Sequence, residues 1–216
     1  PLIIHMNYQD KFARIVVYCG SNFGDTPAYY HAAQSLGKTL AEHDITLVYG
    51  GGNVGLMGTI ADSIIAHGGK SIGIIPRFLK DKEVAHHGLS ELITTEDMAS
   101  RPLKMISLAD AFIALPGGIG TYEELFEVMS LAQLRQHAKP IGVLNVDGFF
   151  NPFLKLLEQT AKAGFMPVSN INLICVADNI PTLLTKMATY RFTESQKWVK
   201  PSWMDETSAY TVPKFT

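Results

Sequence analysis

DAFIALPGGIGTYEEL, residues 110–125, decides how this chain folds. A short apolar run ends at Pro116, two glycines follow, and Ile119-Gly120-Thr121 leads into a stretch with helical spacing. That is the signature of a strand, a tight turn and the start of a helix. The same grammar repeats on both sides. RIVVYC (14–19) is a strand stopped by Gly20, and Thr26-Pro27 reads as N-cap and first residue of a helix reaching about His43. ITLVYG (45–50) is a second strand, followed by a Gly-rich turn and a helix over about 55–67. KSIGIIP (70–76) is a third, 77–90 reads as a polar loop, and ELITTE (91–96) is a fourth. A short helix follows Pro102. Beyond the central stretch come a helix over 120–136, a strand at PIGVLNV (140–146), a helix from Pro152 to about Ala163, a strand at INLICVA (171–177) and a last helix from Pro181. Strands alternating with helices predict a doubly wound, Rossmann-like α/β fold: a mostly parallel sheet with helices on both faces. The expectation is one domain over residues 6–190, counted from Met6, and an irregular tail over 191–216.

Composition narrows the class. The 216 residues are 47% hydrophobic and 18% charged, enough apolar material for a sizeable core. Eighteen Lys+Arg against 20 Asp+Glu give no basic surplus, so a nucleic-acid partner is not expected. Two cysteines make no disulfide framework and no zinc pattern. Cys19 and Cys175 sit in apolar strands and read as core. No apolar run approaches the about 18 residues of a membrane span. The opening PLIIHMNYQDKF lacks a basic segment followed by a long apolar one, so no signal peptide is expected. The expected class is a cytoplasmic enzyme.

In open α/β sheets, ligands bind beyond the carboxyl ends of the strands. Two Gly-rich turns fall there. YGGGNVGLMG (49–58) contains G-x-G-x-x-G at Gly50, Gly52 and Gly55, but the acidic residue expected after the next strand is missing from KSIGIIPRF, which disfavours a dinucleotide site. The turn either packs helix on sheet or offers helix N–H groups to an anion. In LPGGIGTYEEL (115–125), Gly117, Gly118 and Gly120 leave backbone N–H groups uncovered and Thr121 adds a hydroxyl. This reads as a candidate phosphate cradle, without the Gly-Lys-Ser/Thr of a Walker loop. Glu123 and Glu124 follow, about 100° apart on the helix. Glu123 suits the helix dipole, whereas Glu124 is the better candidate for chemistry. Arg101, biased by Pro102 toward a helix N-cap, is either a functional cation at the same edge or a surface partner of Asp97 or Glu96. His86-His87 read as loop surface, and His137 as a favourable charge at a helix end. Met57, Met98 and Met105 are either pocket lining or core, with core favoured for Met57. Apolar Leu125, Val128, Met129, Ala132 and Leu134 spread around the 120–136 helix, which fits a homodimer or burial within one chain.

Residues 97–153, and with them VYCGSN (17–22), YGGGNVGLMG and NVDGFF (145–150), resemble the cytokinin riboside 5'-monophosphate phosphoribohydrolases, the "Lonely Guy" proteins long labelled lysine decarboxylases. The family pattern PGGxGTxxE stands here as Pro116 to Glu124. The resemblance implies hydrolysis of the N-glycosidic bond of a nucleoside 5'-monophosphate, releasing an adenine-type base and ribose 5-phosphate. It implies a catalytic pair, Arg101 and Glu124. It sets Glu83, Arg101, Gly118, Ile119, Gly120, Thr121, Tyr122, Glu123 and Ser130 against the substrate. It also implies a homodimer or higher homo-oligomer. No cofactor or metal is implied. One departure stands out: the family's Arg-Lys pair is Arg101-Pro102 here. The rival reading is a non-catalytic nucleotide-binding protein of the same fold.

Overall fold

The computed structural model describes residues 8–80, 85–193, 197, 198, 200, 201, 203, 204 and 211. Met6 and Glu83 lie outside the described residues. Seven strands form one sheet: β1 (Arg14–Tyr18), β2 (Thr46–Tyr49), β3 (Ser71–Pro76), β4 (Glu91–Thr95), β5 (Ala111–Ala114), β6 (Ile141–Leu144) and β7 (Ile174–Ala177). The order is β4-β3-β2-β1-β5-β6-β7, with every pairing parallel. The chain steps outward from β1 to β4, then returns to lay β5 on the other side of β1. The crevice where that reversal occurs, at the carboxyl ends of β1 and β5, is where such a sheet can admit a ligand.

The helices are α1 (Pro27–Glu42), α2 (Gly55–Ala66), α3 (Arg77–Lys80), α4 (Ser100–Leu108), α5 (Ile119–Gln133), α6 (Asn151–Lys162) and α7 (Ile180–Ala188). Strand alternation divides them. Ile15 and Val17 of β1 join the core under α1, α2 and α7, while Val16 and Tyr18 join the core under α4, α5 and α6. Both faces are covered, so the inner strands are largely apolar rather than alternating, while the edge strand β4 keeps Glu91 and Thr94 exposed. Among the described residues no helix is long and apolar enough to cross a membrane.

Most elements lie where the sequence puts them. Thr26 caps α1 through its side chain, accepting from the Ala28 N–H. Four expectations need correction. The 77–90 loop begins with the short α3, and its remainder is tied down: the Ala85 region bridges to Gly52, and the His86 N–H donates to the Gly51 carbonyl. His86 is not loose loop surface, because its Nδ1 accepts from the Gly88 N–H and its Nε2 therefore donates to Asp62 at 2.8 Å. His137 does not sit on the helix dipole. Its ring turns back, Nε2 donating to the Val128 carbonyl and Nδ1 accepting from the Lys139 N–H, and it lies 5.4 Å from the Phe112 ring. Burial pushes its pKa down, which suits a neutral ring used at both nitrogens. Finally, α4 starts at Ser100, not after Pro102, so Arg101 is helical. Pro102 is the third residue of α4, where its missing N–H would have had no intrahelical acceptor. Asp97 opens that helix instead, accepting from the Ser100 N–H and hydroxyl.

NVDGFF is a structural turn. Asp147 and Gly148 have φ of 48° and 74°, and Asn145 accepts from the Phe150 N–H at 2.7 Å. The turn sets Phe149 between Tyr29 and Tyr122, 5.6 and 6.4 Å away between ring centres.

Candidate active site

The two Gly-rich turns behave differently, and backbone hydrogen bonds show why. At the first, the N–H groups of Leu56 and Met57, at the head of α2, both donate to the Gly20 carbonyl. That helix end is already satisfied by protein, so the turn packs rather than cradles an anion. Gly55 has φ +59°, and a Cβ there would strike the Ser21 backbone. A Cβ at Gly50 would strike the guanidinium of Arg101. The second turn is open. Gly118 caps α5 with no side-chain hydrogen bond, and a Cβ on Gly118 or Gly120 would meet nothing within 4 Å. The Tyr122 N–H is the first to find a carbonyl, that of Gly118. The N–H groups ahead of it, at Ile119, Gly120 and Thr121, belong to the uncapped first turn of a 15-residue helix, where an anion is favoured.

Gly20 and Gly117 hold these turns together. The Gly20 N–H donates to the Pro116 carbonyl at 3.0 Å, and a side chain on either glycine would press on the other's backbone. Close approach, not turn flexibility, explains both residues: backbone against backbone at Gly20, and the Thr121 side chain as well as the Gly20 backbone at Gly117.

Arg101 is only 8% exposed, which removes the surface-pair reading. Its Nε donates to the Ile74 carbonyl and its Nη2 to the Gly50 carbonyl, each at 3.1 Å. Glu96 pairs with Arg77 and Asp97 caps α4, so neither suggested partner holds it. The residue that follows β2 and a residue within β3 thus grip the guanidinium through their carbonyls, and the glycine at position 50 leaves the space. Two of its five N–H donors are so used.

A cavity of about 340 Å³ lies between the turns, lined by Cys19, Ser21, Asn22, Met57, Arg101, Gly118 to Thr121 and Glu124. It continues past Arg101, Gly120 and Glu124 into an outer cleft of about 680 Å³ bounded by Met98, Pro102, Glu123, Phe126 and Glu127. The structure therefore brings Arg101, Gly118, Ile119, Gly120, Thr121, Glu123 and Glu124 to one cleft. Tyr122 instead turns into the aromatic cluster of Phe149, Phe150 and Phe153. Ser130 lies in a separate groove between α5 and α6, with Phe126, Leu156 and Thr160. Met57 lines the inner cavity and Met98 the outer cleft, whereas Met105 is core.

The electrostatics are those of a negative, partly dry site. Burial first, then the Glu124 charge, pushes the Cys19 thiol far up, so it is a poor nucleophile. Tyr18 beneath α5 is raised by burial, then by Glu124 and Glu127, with Arg101 opposing. Cys19 and Cys175 are both buried, as expected. Sequence reasoning missed Glu127, which burial and Glu123 hold above the usual carboxylate range. Its spacing, three residues after Glu124, was a signal that could have found it.

Comparison with known proteins decides the family. The chain is 41% identical over 204 residues to a cytokinin riboside 5'-monophosphate phosphoribohydrolase of Arabidopsis thaliana, covering 94% of this chain and 96% of the relative. It is 44% identical over 182 residues to another of Oryza sativa subsp. japonica, covering 84% and 75%. The chain belongs to the cytokinin riboside 5'-monophosphate phosphoribohydrolase family. A family model described as "Possible lysine decarboxylase" matches residues 57–187, so this family carries that older label as well. Among solved structures, the molybdenum cofactor binding protein of Rippkaea orientalis shares the fold at a TM-score of 0.58 and 26% identity, covering 80% of this chain and 93% of that one. The span matched by the family model includes Arg101, Gly118 to Thr121 and Glu124, which line the inner cavity.

Proposed function

We propose that this protein hydrolyses the N-glycosidic bond of a cytokinin riboside 5'-monophosphate, or of AMP, to release the adenine-type base and ribose 5-phosphate. One observation carries the reading: the uncapped N-terminus of α5 opens into the same cavity as Glu124 and the buried Arg101. The phosphate binds at Gly118 to Thr121, and that remote binding energy fixes the sugar one helical turn further on. Cleavage passes through an oxocarbenium-like transition state. The Glu124 carboxylate stabilises the positive ribose ring and takes a proton from the attacking water. Arg101, held rigidly by two carbonyls, offers its remaining N–H groups to the ligand without having to reorganise. Glu83, Glu123 and Ser130 are further substrate contacts, Ser130 from the neighbouring groove between α5 and α6. Nothing in the cleft supports decarboxylation, which would call on a lysine for a Schiff base: the described residues lining it include none.

The protein acts in the cytoplasm as a homodimer, with residues 6–190 as one domain and 191–216 as an appended tail. The α5 residues named from sequence do not support the dimer, since Leu125, Val128, Met129 and Ala132 are buried within the chain. Support comes from exposed apolar residues at the edge of that helix and on its neighbours, where Phe126, Leu156 and Val168 are 40%, 53% and 70% exposed. Light scattering on the purified protein tests the oligomer.

The activity is tested by incubating the protein with AMP and with isopentenyladenosine 5'-monophosphate and separating the products by chromatography. Free base and ribose 5-phosphate are expected, and Glu124→Gln should lose at least about 100-fold in kcat. Tight nucleotide binding with no base release would favour the non-catalytic reading.

A further inference from the structure

We propose that Glu127 is the general acid of this reaction, protonating the departing base while Glu124 acts on the ribose. This rests on the hydrolase reading above and adds the group that the leaving base needs. Residues three apart on a helix share a face, with Cβ atoms about 5–6 Å apart. Glu124 lines both the inner cavity and the outer cleft, and Glu127 lines only the outer one. The order along α5 is therefore phosphate cradle, Glu124, Glu127. In a nucleoside 5'-monophosphate the base lies across the ribose from the phosphate. A phosphate at Gly118 to Thr121 and an anomeric carbon beside Glu124 send the base into the outer cleft. There Met98, Pro102 and Phe126 offer apolar walls and Glu127 offers a carboxyl group.

The carboxyl group is suited to the task. It is half-buried and makes no hydrogen bond or ion pair among the described residues. Burial and the neighbouring Glu123 favour its neutral form. The groups facing it are Glu123 and Glu124 on its own helix, Arg101 from α4 and the Tyr18 phenol from β1. Two carboxyl groups whose surroundings separate their proton affinities divide naturally into acid and base. In the step, the C1'–N9 bond breaks and its electron pair goes to the base. The proton on Glu127 moves to a base nitrogen, water oxygen bonds to C1', and that water's proton moves to Glu124. Solvent then returns one proton from Glu124 to Glu127. The sum is nucleotide plus water giving ribose 5-phosphate plus neutral base.

The test compares two leaving groups. AMP needs a proton on its base, whereas a 4-nitrophenyl riboside 5'-phosphate releases a stable phenolate without one. For Glu127→Gln, kcat on AMP should fall about 100-fold with KM little moved, while kcat on the nitrophenyl substrate stays within about threefold of wild type. The alkaline limb of the kcat–pH profile on AMP should also vanish in the variant. Retained turnover of the nitrophenyl substrate shows that the variant is folded. Equal losses on both substrates, or unchanged turnover of AMP, overturn the assignment. A wild-type protein inert on both overturns the hydrolase reading itself.

Discussion

Gly50→Ala is the sharpest probe of how this site is built. Gly50 does not occupy the left-handed region, so alanine can adopt its backbone conformation. The whole effect is therefore steric, and the added Cβ falls on the Arg101 Nη2 with Met57 Sδ 3.3 Å away. The guanidinium is confined by bonds to the Ile74 and Gly50 carbonyls, both 3.1 Å, so relief requires it to move by roughly 1 Å. A misplacement of that size costs about 100-fold in rate where the group acts on the transition state. Overpacking of this kind costs about 1–3 kcal/mol of stability. At about 2–4 °C per kcal/mol for a domain of this size, the melting midpoint should fall by about 2–12 °C. The assay is base release at saturating nucleotide, beside a thermal melt. A folded Gly50→Ala protein with wild-type kcat would refute the reasoning, because Arg101 would then either sit elsewhere or contribute nothing to turnover.

Two other outcomes follow from the same geometry. Gly120→Ala should fold normally and melt no lower than wild type, since its Cβ meets nothing and alanine is the better helix former. Its KM for nucleotide should nevertheless rise several-fold, because the methyl group enters the space assigned to phosphate; an unchanged KM would move the phosphate off this turn. His137 gives a pH effect. Its pKa is lowered in the folded state by burial, so the unfolded chain binds more protons as pH falls through about 6.5. The His137 contribution is complete above that pH and is lost on acidification. Wild type should lose more melting temperature than His137→Gln between pH 7 and pH 5, and parallel curves would contradict the neutral-ring assignment.

How much of this was legible beforehand depends on the range of the interaction involved. Helices and strands follow from local periodicity, caps and glycine punctuation, so Thr26-Pro27 and PGGIGT could be read directly. The fold class follows from their alternation. The limits of α4 could not be read, because Pro102 looks like a start signal but is tolerated within the first turn. His86 and His137 were misjudged because their partners, Asp62 and the Val128 carbonyl, are 24 and 9 residues away.

The sequence alone marked the second Gly-rich turn as a candidate anion cradle and Glu124 as a candidate acid beside it. Both are properties of a single strand–turn–helix segment, whose geometry is fixed within a dozen residues. Only the tertiary structure decided the rest. It showed that the first Gly-rich turn, similar in letters, is closed by the Gly20 carbonyl. It showed that Arg101 is a buried, immobilised cation, because the Gly50 and Ile74 carbonyls that hold it lie 51 and 27 residues away in the chain. And it placed Glu127 beside Glu124 in one cleft while setting Ser130 in another. A parallel sheet brings the ends of distant strands together at one edge, so what gathers there is a property of strand order and not of any local run of residues.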